Sequence, residues 1–105
     1  MNLALTDAAK ADIRAILRKT REQFGPLQVP KYRELLADAR KRIREKPNLG
    51  HAREGLPPDW RLFHISQRGR AARHFLLYVV REAEGLVIVL RVLHDAMDIP
   101  RHWPG

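Results

Sequence analysis

The sequence predicts an α+β domain, an antiparallel β-sheet with an N-terminal helical hairpin packed on one face. Three observations lead there. Two consecutive segments in the first half repeat apolar residues at helical spacing. Three short segments rich in strand formers follow in the second half, joined by turns too short for a crossover helix. Helices and strands are therefore segregated along the chain, which is the α+β pattern and not the alternating α/β one. A length of 105 residues and a mass of 12.2 kDa suit a single domain spanning 1–105, with enough chain for one core and no second one.

The elements follow in order. Residues 2–6, NLALT, are short and apolar and suit a first strand. Thr6 is placed to cap a helix running to about Phe24, with Asp7 complementing the dipole in its first turn. Ile13, Ile16, Leu17, Thr20 and Phe24 fall on one face of that helix, and Gly25-Pro26 stops it. Pro30 suits the first turn of a second helix. Tyr32, Leu35, Leu36, Ala39 and Ile43 form its apolar face, and Pro47 ends it. Arg40, Lys41, Arg42, Arg44 and Lys46 crowd its last turns, where cations complement the dipole. Residues 47–59 form a loop with three prolines and two glycines. The predicted strands are 60–66 (WRLFHIS), 75–81 (FLLYVVR) and 86–93 (LVIVLRVL), with turns at 67–73 around Gly69 and at 82–85. The last strand is apolar almost without a break, so it is central and covered on both faces. Alternation sets Leu86, Ile88, Leu90 and Val92 on one side and Val87, Val89, Arg91 and Leu93 on the other. The predicted core joins Leu17, Phe24, Leu35, Leu36, Ile43, Ile88, Leu90 and Val92.

Composition narrows the function. Twenty Lys and Arg against 12 Asp and Glu give a net charge of +8, a balance that favours polyanions or an acidic partner. Residues 1–50 hold 12 basic and 6 acidic residues and 51–105 hold 8 and 6, so the halves carry +6 and +2. Absence of cysteine excludes disulfides, thiolate metal sites and a cysteine nucleophile, and fits a reducing cytosol. The first residues lack the basic and apolar regions of a signal peptide, and the apolar runs 75–80 and 86–90 are too short to span a bilayer. The expectation is a cytoplasmic protein with no membrane association.

No phosphate loop, dinucleotide fingerprint, zinc spacing or HExxH occurs, so no cofactor is expected. His94 and His102 flank Asp95 and Asp98, but the spacing reads as a capped C-terminal turn and not as a metal site. Arg91, inside an apolar strand, requires solvent or a partner. It is read as facing away from the helices, where Arg61 and Arg81 would join it in a basic groove with an apolar floor. Such a groove suits phosphate or an acidic peptide. The other reading has these arginines reaching solvent past the sheet edge. Arg68, Arg70 and Arg73 read as a solvated turn.

Three stretches carry a resemblance. The opening LALTDAAKADIRAILRKTREQFG, the middle RKRIREKPNLGHAREGLPPDWRLFHIS and the close LVIVLRVLHDAMDIPRHW resemble the RelE/ParE superfamily of type II toxin–antitoxin toxins. The close is the most specific, since its RVLH strand leading to an MD and RH turn is similar to the ParE branch. Only QRGRAARHFLLYVVRE departs, with a longer basic turn than the family's usual Gly-Arg-Tyr. The resemblance implies a helical hairpin over an antiparallel sheet. It implies a toxin that inhibits DNA gyrase, is no enzyme, and is neutralised by a ParD-like antitoxin in a hetero-oligomer. On this reading Arg61, Arg81, Arg91, His94, Asp98, Arg101, His102 and Trp103 contact the antitoxin or the target. The alternative is a RelE-like endoribonuclease acting on messenger RNA at the ribosome. Arg91 and His102 would then serve as stabiliser and proton donor, because RNA cleavage needs a base and an acid. The C-terminal segment has no tyrosine, and no lysine follows Lys46, which favours the ParE branch.

Overall fold

The computed structural model describes residues 1–67 and 70–94, with side chains described outside 66–73. The elements are β1 (Asn2–Leu5), α1 (Asp7–Phe24), α2 (Gln28–Glu45), a 3-10 turn (Pro47–Leu49), β2 (Trp60–Gln67), β3 (Arg70–Arg81), a second 3-10 turn (Glu82–Glu84) and β4 (Leu86–His94).

Local chemistry sets the helix ends. Thr6 stays extended, and its hydroxyl accepts the Ala9 N–H at 3.0 Å, supplying one of the bonds that a helix start lacks. Gly25 closes α1 at φ 89°, a backbone region that penalises a side chain, while its N–H returns to the Arg21 carbonyl. Helix α2 starts at Gln28, two residues before Pro30, so the proline lies in the first turn, where its missing N–H costs nothing.

The sheet order is β1-β4-β3-β2. Strands β2, β3 and β4 are antiparallel neighbours, and β1 pairs parallel to β4, with Leu3 opposite Val87. The sheet is thus mixed. Its antiparallel part is the predicted meander, and β4 is central, between β1 and β3. Strand β3 begins at Arg70, earlier than the predicted 75, so strand takes up part of the expected basic turn.

In place of the one core expected, two apolar clusters lie on opposite faces of the sheet, because the strands are apolar on both sides. Ala9 of α1 and Leu36, Ala39 and Ile43 of α2 pack with Ile65, Leu76, Tyr78, Val87, Val89 and Val92. Leu62, Leu77 and Leu93 form the second cluster, with Leu56, Trp60, Phe75 and Leu90 against it. The sequence assignment of β4 faces is therefore inverted over its first half. Val87 and Val89 meet the helices, while Leu90 joins the far cluster. Both alternating sets of residues 86–90 are apolar, so periodicity alone does not say which set faces the hairpin. The register then shifts: Leu77 lies opposite Arg91 but Tyr78 lies opposite Val89, which leaves Leu90 as an extra residue, a β-bulge. Val92 consequently returns to the helix side, as predicted. Phe24, predicted in the core, is 69% exposed at the hairpin tip.

Candidate functional site

The arginine assigned to a binding groove is instead held by a helix. Arg91 donates from Nε to Asp12 Oδ2 at 2.7 Å and from Nη2 to Oδ1 at 2.9 Å, and the Val92 N–H also donates to Oδ2 at 2.9 Å. Asp12 lies on α1, so one carboxylate ties the helix to both the side chain and the backbone of β4. Hydrogen bonding to Asp12 raises the Arg91 pKa, with burial opposing, so the guanidinium stays charged. Thr6 completes the junction. Its hydroxyl donates to the Leu90 carbonyl at 2.7 Å, at the bulge, while its N–H reaches the Val89 carbonyl. Arg91 lies opposite Leu77 of the far cluster, the face the alternation predicts, but it does not stay there as a free groove cation: its guanidinium is met by Asp12 of α1, across the edge of β4 that β1 leaves uncovered beyond Val89.

Arg61 is placed differently again. It lies opposite Tyr78, a helix-side residue, and donates from Nη1 to the Gly50 carbonyl at 2.7 Å. The Tyr78 hydroxyl donates to the Pro47 carbonyl at 2.6 Å and accepts the Gly50 N–H at 2.8 Å. Burial is the first cause that raises the Tyr78 pKa, with the Gly50 hydrogen bond and the Arg61 charge opposing it. A Cβ on Gly50 would come within 2.5 Å of the tyrosine oxygen, so only glycine fits there. These contacts, with the His51–Leu62 backbone pair, fasten residues 47–51 to the sheet.

Arg81 is exposed at the end of β3. The basic groove expected from Arg61, Arg81 and Arg91 is therefore not formed. One arginine holds a loop, one is clamped to α1, and one faces solvent. His94, at the end of β4, lies opposite His74, with ring centroids 5.2 Å apart and edge-to-face. Tyr32 of α2 shares a hydrogen bond between its hydroxyl and His74 Nδ1. Asp98, Arg101, His102 and Trp103 lie outside the described residues. Among the described residues no group of three or more His, Asp or Glu side chains is placed to hold a metal ion. Among them, too, no helix is long and apolar enough to cross a membrane.

Sequence reasoning missed Asp12, Gly50 and the hydroxyl of Tyr78. For Asp12 a signal existed: an arginine inside an apolar strand calls for a carboxylate, and Asp12 directly borders the apolar face of α1. For Gly50 there was none, since its constraint is set by a side chain 28 residues away.

A hairpin of helices over a four-stranded sheet, with its last strand central, defines the architecture of this class of small α+β proteins. Residues 3–99 match the family described as the ParE toxin of type II toxin-antitoxin system, parDE, and the chain belongs to that family. It is 33% identical over 98 residues to Toxin ParE1 of Mycobacterium tuberculosis, covering 93% of each chain. It is 32% identical over 96 residues to Toxin ParE of Escherichia coli, covering 90% of this chain and 85% of that toxin. The fold is similar to a solved structure titled as the chromosomal ParDE TA system from P. aeruginosa. That match has a TM-score of 0.73 and 21% identity, and covers 90% of this chain and 95% of that one.

Proposed function

We propose that this ParE-family toxin inhibits DNA gyrase in the cytoplasm and is neutralised by a ParD-like antitoxin in a hetero-oligomer. The observation that carries the reading is the family match over residues 3–99, which takes in most of the ParE-type close. A second observation weighs against the nuclease alternative. Arg91, its expected stabiliser of developing charge, is committed to Asp12 through two hydrogen bonds. A group already neutralised by a carboxylate has little charge left to offer a phosphorane.

Inhibition needs a contact surface and no proton transfer. That surface is residues 94–103, including His94, Asp98, Arg101, His102 and Trp103, together with exposed Arg81. His102→Ala alone should change inhibition little, because a single imidazole in a broad interface is rarely a hot spot. Truncation after Leu93 should abolish inhibition and leave the helix-side cluster folded, since all its members precede that point. The test follows relaxed-plasmid supercoiling by purified gyrase and messenger RNA integrity on translating ribosomes, for wild type and both variants. Loss of supercoiling with intact messenger RNA is expected. Messenger RNA cut by wild type but not by His102→Ala would overturn the gyrase reading.

A further inference from the structure

The excess positive charge of the first half has a location. On α2, at about 100° per residue, Arg33, Ala37, Arg40 and Arg44 fall within a narrow stripe, with Lys41 beside it. The helix's acids, Glu34, Asp38 and Glu45, cluster roughly 100° around from it, and its buried face, Leu36, Ala39 and Ile43, lies on the other flank. Asp38 is 3.6 Å from Arg42, off the stripe. Among the described residues no carboxylate lies in salt-bridge range of Arg40, Lys41 or Arg44. Those three cations, with Ala37 and Leu3 of β1, line an open cleft of about 260 Å³ between α2 and the sheet edge.

We propose that this stripe is a docking surface for the phosphate backbone of duplex DNA. Charge selects a polyanion, and the cleft floor selects between kinds. An acidic helical peptide docks through large apolar anchors in a groove. Leu3 and Ala37 are the apolar residues lining the cleft, and they offer little for such anchors. Backbone recognition of DNA requires only cations spaced along a line. Arg33 to Arg44 rises about 16 Å along the helix, a length over which duplex DNA presents about nine or ten negative charges. The stripe shares no residue with the proposed gyrase contact at 94–103, and the inference holds whatever protein the toxin inhibits.

The test uses the full chain and a fluorescein-labelled 20-base-pair duplex of random sequence, followed by anisotropy between 50 and 200 mM salt. Three phosphate contacts account for about a 40-fold loss of affinity over that range, from a slope of about 0.9 per contact. The Arg40→Ala, Lys41→Ala, Arg44→Ala variant should lower the slope of log K against log salt by about 2–3. Removing the same charge from α1 with Arg14→Ala, Arg18→Ala and Arg21→Ala should leave most of it. Arg40→Lys with Arg44→Lys should keep the wild-type slope, because a backbone contact needs charge and no fork geometry. Circular dichroism checks folding, and Arg44→Ala alone, at an exposed site, should lower the slope by about 1 if the triple variant unfolds. No salt-dependent duplex binding by wild type, or equal loss in the α1 variant, would overturn the proposal. So would tighter binding of polyglutamate of matched charge, which would assign the stripe to an acidic protein.

Discussion

Asp12 does three jobs with one carboxylate, and its removal should be felt by each partner. Asp12→Ala leaves the Arg91 guanidinium without its ion pair and the Val92 N–H without an acceptor. Hydrogen bonds to charged groups contribute roughly 1.5–3 kcal/mol, so urea unfolding should show a loss of about 2 kcal/mol. Arg91→Ala should cost less, because Asp12 keeps its bond to Val92 and is partly exposed. Equal losses in the two variants would show that the backbone bond contributes nothing. Tyr78 makes the second prediction. Tyr78→Phe preserves the ring but strands the Pro47 carbonyl and the Gly50 N–H, at a cost of about 1–3 kcal/mol in the same measurement. Burial raises the pKa of this phenol above the ordinary 10.0, so the unfolded chain loses that proton first as pH rises. The stabilisation is complete below the unfolded value and is lost as pH climbs through the folded one. Alkaline unfolding of wild type should therefore coincide with phenolate absorbance from Tyr78, and Tyr78→Phe should show a shallower alkaline loss.

Strand β4 shows how far an element can be read before its partners are known. Its existence, its central place and its near-complete length are legible from one apolar run. Its facing is not, because Val87 and Val89 are as apolar as Ile88 and Leu90, and period-2 alternation has no absolute sign. The bulge at Leu90 is equally hidden. The Leu90 carbonyl there is met by the Thr6 hydroxyl, from a residue 84 positions away. Helix α1 was legible through Thr6 and Gly25, whose effects are local, but Phe24 was not. It is the last residue of α1 and is exposed there. The structure therefore reverses a natural mutagenesis expectation. Val89→Asp places a charge at a fully buried site in the helix-side cluster and should abolish cooperative thermal unfolding. Leu90→Asp lies at the half-buried margin of the other cluster and should leave a folded, less stable protein. A Leu90→Asp chain that fails to melt cooperatively, beside a Val89→Asp chain that melts normally, would show that Leu90 and not Val89 points at the helices.

For the whole molecule, segregation of helices from strands made the α+β class readable, while the parallel seat of β1 beside β4 was out of reach, since four residues carry no signal of their partner. The charge of +8 was readable as a number but not as a map. Arginines that a pattern argument gathers into one groove are distributed between an ion pair, a loop anchor and open solvent, because each is placed by a different neighbour. That distribution yields a prediction for antitoxin capture that a common groove would not. Rim charges act mainly on the rate of encounter, which falls as salt screens them, whereas clamped charges act on the fold. Arg81→Glu should slow association with the antitoxin several-fold at low salt and flatten the salt dependence, with an unchanged melting temperature. Arg91→Glu should instead set two carboxylates against each other at the junction of α1 and β4 and lower the melting temperature by several degrees. Its effect on association should follow the folded fraction. Stopped-flow association across ionic strength, set beside thermal melts of the free toxins, separates the two. If Arg91→Glu slowed encounter as Arg81→Glu does while melting like wild type, Arg91 would face the partner in solution and its tie to Asp12 would contribute nothing to the fold.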